Sequence, residues 1–365
     1  MVVIPLIEAY HASLALDTSN GGNSMNLNWW KLSFAFSIVG LSAANVLADQ
    51  PVRENGTQPA DWEFDLPEGV STRDVTFYSD ESPCYGRLFF PDGFDESGKT
   101  PAVVLGHGFG GMHHGIDKYA AYFASRGLVA MTIDYRFWGW SEGLVTLLDQ
   151  DVDTATDDDR VTTIDDARIE IRRTRLVSRY QVEDYRAAVS YLQGEPGVDP
   201  ENIGAWGSSH SGGHMVVLPA MDARVKATVG QVPAVGGGNG QPKTPPVFRE
   251  RTLEEAIRQA RTNQASESLR GFSWRRMHES YPFNANHRPF HYLERIPETT
   301  AILFIVAEDE ELFSNETAAY AAAKLLKGPN KVISVPNITH FQMYSGDAYE
   351  VSSKAAADWF LKYLK

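Results

Sequence analysis

Moving an acyl group without a cofactor takes a nucleophile, a base to accept its proton and an acid to orient that base. This sequence offers all three. The nucleophile candidate lies in Ile203-Gly204-Ala205-Trp206-Gly207-Ser208-Ser209-His210-Ser211-Gly212-Gly213-His214. A short apolar run of strand length breaks into glycines and serines, then resumes as Met215-Val216-Val217-Leu218. That is the pattern of a strand, a sharp turn and a helix, with Ser209 at the apex. Such a turn strains the backbone of its serine and needs small residues two places before and two after. Gly207 meets the first requirement, and Ser211 stands at the second, where glycine is usual. Ser208 is disfavoured by the bulk of Trp206 two residues before it. A turn centred on Ser211 would begin too late after the strand.

The base candidate is His340, in Val335-Pro336-Asn337-Ile338-Thr339-His340-Phe341. It follows the last expected strand, which sets an imidazole over the strand ends where the serine turn also emerges. The acid follows the apolar run 301–306, in Ala307-Glu308-Asp309-Glu310-Glu311-Leu312-Phe313. Among four consecutive carboxylates, Glu310 stands at the fourth place of the turn and is the first choice. Asp309 is the alternative, and Glu308 and Glu311 read as solvent-exposed. The acid's work is to fix the imidazole tautomer and stabilise the imidazolium.

Donors for a developing oxyanion are expected from the backbone N–H of His210, next to the nucleophile, and of Phe109 in Gly106-His107-Gly108-Phe109-Gly110-Gly111. Those glycines would also suit a phosphate loop, but no Gly-Lys-Ser/Thr follows. His107 reads as a brace for the loop. His113-His114 and the pair His210/His214 resemble metal ligands only superficially, since no carboxylate accompanies them at a known spacing. Neither metal nor cofactor is expected. Trp138 and Trp140, with Phe109, are candidates to line an apolar substrate pocket; ordinary core packing is the alternative for each.

The elements that must position these residues follow from periodicity. Residues 75–79 and 84–90 alternate like two antiparallel strands joined by a turn. Further strands are expected at 101–105, 128–134, 225–232, 301–306 and 331–335, and helices at 119–126, 182–192, 316–326 and 355–363. Strands alternating with helices imply an α/β fold with a mostly parallel sheet covered on both faces. Two segments break the rhythm. Residues 144–175 carry the acidic runs 149–153 and 157–159 and then the basic run 168–175, and read as a solvated insertion. Residues 236–297 hold an amphipathic stretch near 253–265 and the aromatics Trp274, Tyr281, Phe283, Phe290 and Tyr292, and read as a small cap.

Length allows one large domain or two small ones. The 365 residues carry a net charge of −14, which argues against nucleic acid, whose affinity comes from Lys and Arg on phosphates. One cysteine, Cys84, rules out an internal disulfide and reads as a buried small hydrophobe. Lys31, the apolar run 32–47 and Val46-Leu47-Ala48 form a secretory signal pattern with cleavage near Ala48, so residues 1–48 are read as an extension plus signal peptide. The apolar run falls short of the ~20 residues a spanning helix needs, so no stable membrane span is expected in the mature form. A retained anchor is the competing reading. Met25 is a candidate start, and a secreted chain without cystines points to a bacterial periplasm or secretion. The main domain is expected over 62–365.

On the glycine loop 106–111, the stretch 134–143, the serine turn 207–213, the acid turn 307–313 and Ile338-Thr339-His340-Phe341, the chain resembles the α/β-hydrolase superfamily over residues 70–365. Within it, the pattern is similar to dienelactone-hydrolase-like and X-Pro-dipeptidyl-peptidase-like esterases and to fungal polyketide transferases. That resemblance implies Ser209, Glu310 and His340 as a triad in the family's chain order, acting on a small ester or lactone through an acyl-enzyme. An acyltransferase, or a peptidase or amidase, would use the same triad. Ser211 for glycine, Glu310 for the usual Asp and the acidic insertion depart from the family pattern, and oligomeric state is left open.

Overall fold

The computed structural model describes residues 64–148, 166–236 and 287–365. The chain divides into two units, Met1–Phe64 and Asp65–Lys365, and every element below belongs to the second. The signal segment, the two acidic runs, the stretch 253–265, Trp274, Tyr281 and Phe283 lie outside the described residues.

Eight strands form one sheet in the order β1-β2-β4-β3-β7-β8-β9-β10. Strands β1 (Ser71–Ser79) and β2 (Ser82–Phe90) make an antiparallel hairpin whose two turn residues, Asp80 and Glu81, both have positive φ. A two-residue turn of that hand matches the twist of the strands it joins. β2 pairs antiparallel with β4 (Val129–Ile133), and from there β3 (Thr100–Gly106), β7 (Val198–Ser208), β8 (Val225–Gln231), β9 (Ala301–Ala307) and β10 (Asn330–Val335) are all parallel. Parallel strands need crossovers, and α1 (Asp117–Ser125), α2 (Ser178–Gln193), α3 (His210–Met221) and α4 (Ala319–Leu325) lie in them, while α5 (Gly346–Tyr363) follows the last strand.

The sheet is buried on both faces, so its strands read as continuous apolar runs while their side chains still alternate. Leu303 and Ile305 of β9 pack with Tyr119 and Phe123 of α1 and Phe360 of α5. Ile302, Phe304 and Val306 pack the other way, against Val216 of α3 and Ala319 of α4. Helix α5 begins nine residues before the expected 355, because its early core face is built of Ala348, Ser352 and Ser353 rather than large apolar residues. The two serine hydroxyls donate back to the carbonyls of Tyr349 and Glu350, so they are buried without cost in unpaired groups.

The ends of the acidic insertion form a separate antiparallel ribbon, β5 (Leu144–Leu147) with β6 (Ile169–Arg172), which sequence reading missed because both strands are short. Of the expected cap, residues 236 and 287–297 are described: a 3-10 turn, Pro289–Arg295, buries Leu293 while Phe290 and Tyr292 pack against the same core cluster. Cys84 is buried, as expected of a small hydrophobe. Among the described residues no helix is long and apolar enough to cross a membrane.

Candidate active site

Strand β7 ends at Ser208 and α3 starts at His210, so Ser209 alone makes the turn, with φ 56° and ψ −119°. For a residue with a β-carbon that conformation costs about 1–3 kcal/mol and must be held by its surroundings. Ser209 N–H donates to Gln231 O on β8 at 2.9 Å, and Ala234 N–H donates to Ser209 O at 2.9 Å. A β-carbon at Gly207 would lie 2.3 Å from the carbonyl oxygen of Ser211, so the turn closes only around glycine there. The neighbouring serines are already engaged. Ser208 Oγ meets the Tyr344 hydroxyl at 2.5 Å, and Ser211 Oγ is buried between those of Tyr135 (2.9 Å) and Tyr185 (2.7 Å).

On one side of β7 in the sheet, the loops after β9 and β10 bring together Glu310 and His340. His340 Nδ1 faces both Glu310 oxygens, at 3.0 and 2.9 Å, and the two side chains are 1% and 2% exposed. A carboxylate only accepts, so Nδ1 carries the proton and Nε2 keeps a lone pair for a base's work. The rings of Phe313 and Phe341 stand edge-on to the imidazole at 5.5 and 5.1 Å. Glu310 also accepts the N–H of Leu312 at 3.0 Å within its own turn. Asp309, the alternative acid, is exposed and meets the histidine loop through its backbone N–H, which donates to Ile338 O at 3.0 Å. Glu308 and Glu311 were expected simply to be solvated, and both are exposed residues. Both nonetheless accept backbone N–H groups of that loop, from Asn337 (2.9 Å) and from His340 itself (2.8 Å), because the two loops lie edge to edge.

Tyr344, four residues beyond His340, was missed in the sequence. Its hydroxyl reaches Ser208 while its ring lies 6.3 Å from that of His340, so it ties the histidine loop to the serine turn. An aromatic one helical turn after a loop histidine was the only signal for it.

On the other side of β7 stands the glycine loop after β3. A β-carbon on Gly108 would sit 3.0 Å from Ser209 Cβ and 3.6 Å from Ser209 Oγ, so this loop lies directly against the turn. The Phe109 and His210 rings meet edge-to-face at 5.4 Å. His210 is the first residue of α3, where backbone N–H groups lack intrahelical partners and the helix dipole favours negative charge. Trp138 donates from Nε1 to Gly111 O at 2.7 Å and packs on the core, while half-exposed Trp140 stacks edge-on against His113 and His114. Trp138 thus holds the end of the glycine loop, and Trp140 covers the histidine pair just beyond it.

Beneath them Asp134, fully buried, accepts from His113 N–H (2.8 Å), His113 Nδ1 (3.0 Å) and Trp140 N–H (2.8 Å). Burial alone would raise its pKa, but His113, His107 and these donors hold it well below the usual carboxylate range. His107, read as a brace, is buried with its Nδ1 on Gly108 O at 2.8 Å.

Sequence reading passed over a nearby carboxylate: Asp117, three residues after His114 and four after His113, joins them with possible ligand atoms within 4.8 Å of one another. Its oxygens are already occupied, one by Thr132 Oγ1 (2.7 Å) and one by the Arg87 guanidinium (3.1 Å), and that cation opposes a second one. Behind the turn, His210 contacts Ser178, and His214 bridges Gln181 and His287. Burial pushes His210 down to about 4 and His287 to about 3.

Residues 53–236, just over half of the chain, match the acetyl xylan esterase (AXE1) family model, and residues 180–341 match the model for the C terminal of BAAT / acyl-CoA thioester hydrolases. The quorum-quenching protein AidA of Acinetobacter baumannii is 28% identical over 165 residues, 45% of this chain and 44% of that protein. The thiohydrolase aneE of Aspergillus aculeatus is 30% identical over 179 residues, 48% of this chain and 46% of that one. The chain thus spans less than half the length of these two curated relatives. The structure of DcsB, solved with a substrate analogue, shares the fold: TM-score 0.58 at 18% identity, over 80% of this chain and 99% of that one. A sheet of this order with its turn after β7, joined to a family match over more than half its length, means that this chain belongs to the acetyl xylan esterase family of the α/β-hydrolase superfamily.

Proposed function

We propose that this chain is a serine hydrolase that cleaves a carboxylic ester or lactone of a small molecule through an acyl-enzyme. The observation that carries the reading is the pairing of a strained serine between strand and helix with a buried His340–Glu310 couple on the adjoining strand ends. Ser209 Oγ attacks the acyl carbon as His340 Nε2 takes its proton, and Glu310 stabilises the imidazolium that results. The N–H groups of Phe109 and His210 receive the carbonyl oxygen as it gains charge. His340 then returns the proton to the leaving alkoxide, and water repeats the sequence to release the acid.

A thioester substrate is the second reading, favoured by the thioester-hydrolase match over residues 180–341 and the thiohydrolase relative. Acyl transfer to an alcohol, or amide cleavage, would use the same groups. The secretory pattern at residues 31–48 supports action outside the cytoplasm.

The test is hydrolysis of p-nitrophenyl esters of increasing chain length, and of acyl thioesters, by the chain and by Ser209→Ala. Loss of the serine is expected to lower turnover by a factor on the order of 10⁴–10⁶. Turnover that survives in Ser209→Ala overturns the acyl-enzyme reading. Partition of the acyl group between water and added alcohols separates hydrolase from transferase, and the ratio of thioester to ester rates ranks the two substrate classes.

A further inference from the structure

Ser211 occupies the place where the turn usually has glycine, and it is not idle. Three buried hydroxyls meet there: Tyr135 from the loop after β4, Tyr185 from α2, and Ser211 from the first turn of α3. Their protons can be assigned. Tyr185 O–H donates to the carbonyl of Trp206 on β7 at 2.8 Å, so towards Ser211 its oxygen must accept. Ser211 O–H therefore donates to Tyr185 (2.7 Å), and Ser211 Oγ accepts from Tyr135 O–H (2.9 Å). Tyr135 O–H shares its one proton with the His107 carbonyl, 3.2 Å away at the root of the glycine loop. The result is a one-way chain, Tyr135 to Ser211 to Tyr185 to Trp206, in which each bond polarises the next. No side chain at Gly106 keeps the phenols away: a β-carbon there would lie 2.3 and 2.4 Å from the Tyr185 and Tyr135 hydroxyls. Burial raises both phenols above their ordinary pKa, so the protons stay in place through the neutral range.

We infer that Ser211, with Tyr135 and Tyr185, is a positioning residue that fixes the serine turn against the oxyanion loop. The inference rests on the acyl-enzyme reading of Ser209. The chain joins the strand that carries the nucleophile to the loop that carries Phe109, from below, through a side chain two residues from Ser209. A glycine at 211 would leave two buried phenols with a partner missing, and the turn and loop would lose their hydroxyl link while keeping the contacts at Gly108 and between the Phe109 and His210 rings.

Kinetics with p-nitrophenyl acetate, each rate divided by the sites a fluorophosphonate probe titrates, tests this on the full chain. Ser211→Ala is expected to lower kcat per titrated site roughly tenfold with KM little changed, since a misplaced oxyanion donor harms the transition state more than the bound ester. Tyr185→Phe, which keeps the ring and removes only the oxygen, should lose kcat in the same way and serves if Ser211→Ala folds poorly. Tyr135→Phe should cost little once Ser211 is already alanine, because that chain is broken. If kcat per titrated site stays within about twofold of the parent in Ser211→Ala and Tyr185→Phe, even with a lowered Tm, the hydroxyls serve stability alone and the inference falls. A parent chain that neither turns over ester nor takes the probe at Ser209 overturns the acyl-enzyme reading itself, and this inference with it.

Discussion

The two loops that flank Ser209 along the sheet are held by different means. The glycine loop after β3, the proposed oxyanion loop, rests on groups from other parts of the chain: buried Asp134 and His113, partly buried Trp138, and the hydroxyl chain through Ser211. The acid turn after β9 and the histidine loop after β10 instead hold each other, through Glu308, Glu310 and Glu311, three of four consecutive carboxylates. One side is placed by the core, so its geometry is tied to global stability. The other is placed by neighbours at the rim, so single bonds there can be removed one at a time. Damage on the first side should appear in Tm and kcat together, and damage on the second in kcat alone.

The sharpest break is Glu310→Gln. The amide can no longer stabilise the imidazolium, and its NH₂ can face Nδ1 and impose the wrong tautomer. A loss of roughly 10³–10⁴ in kcat is expected at nearly unchanged Tm. Asp309→Asn should stay within about twofold, since that side chain is exposed and meets His340's loop only through its backbone. A larger loss in Asp309→Asn than in Glu310→Gln would reassign the acid.

Asp134→Ala is the counterpart on the other side. It leaves the backbone N–H groups of His113 and Trp140 and the His113 ring without their acceptor inside the protein. A loss of about 3–5 kcal/mol in unfolding free energy is expected, measured by urea denaturation, together with reduced turnover. Full stability with lost activity would show that the loop is not anchored to the core in the way the contacts imply.

Acid should sort the two sides as well. His114, His210 and His287 are pushed down to about 3, 4 and 3, chiefly by burial, from an unfolded value near 6.5. Between those values the unfolded chain binds protons that the folded chain refuses, so stability falls as pH drops below about 6.5. Each such histidine adds up to about 1.4 kcal/mol per pH unit. Asp134 has the depressed pKa of a paired carboxylate, so its contribution is present above about 4 and lost as pH falls further. All four groups lie on the oxyanion loop, its brace, or beside α3, away from the acid turn. Urea midpoints between pH 7.5 and 5 should therefore fall steeply, and His287→Gln should flatten the slope by about one histidine's share. An unchanged slope in that variant would place the acid sensitivity elsewhere.

Much of this was legible in the sequence. The strands of the central sheet read directly, since a sheet covered on both faces must be written in apolar runs such as Ala301–Ala307. Ser209, Glu310 and His340 could be picked out as candidates because each follows a strand, and the fold sets Ser209 at a strained turn and Glu310 against His340. The brace could not. Asp134 meets His113 across 21 residues, and Ser211 meets Tyr135 across 76, with no periodicity to announce either pair. Asp117 is a different case: it stands three and four residues after His114 and His113, a spacing the sequence does show once the segment is known to turn as a helix. The roles of Glu308 and Glu311 were invisible for another reason. An exposed carboxylate and one that accepts a backbone N–H at the rim have the same sequence signature.

That last pair gives the finest division of the rim. Glu311 accepts the N–H of His340 itself, whereas Glu308 accepts that of Asn337, three residues earlier, where positive φ already sets the backbone. The Glu308 bond is exposed and the Glu311 bond only partly buried, so each contributes only about 0.5–1.5 kcal/mol. Removing Glu311 leaves the backbone of the base free to shift while its ring is still bonded to Glu310. Removing Glu308 loosens a bend that Asn337 adopts readily, because a short polar side chain tolerates the left-handed region. Glu311→Ala should therefore lower kcat by about threefold to tenfold and Glu308→Ala by less than about threefold, with Tm nearly unchanged in both. Steady-state kinetics beside thermal melts would read the difference. If Glu308→Ala costs more activity than Glu311→Ala, the histidine is positioned by the whole loop and not by the bonds nearest to it, and the rim behaves like the core side after all.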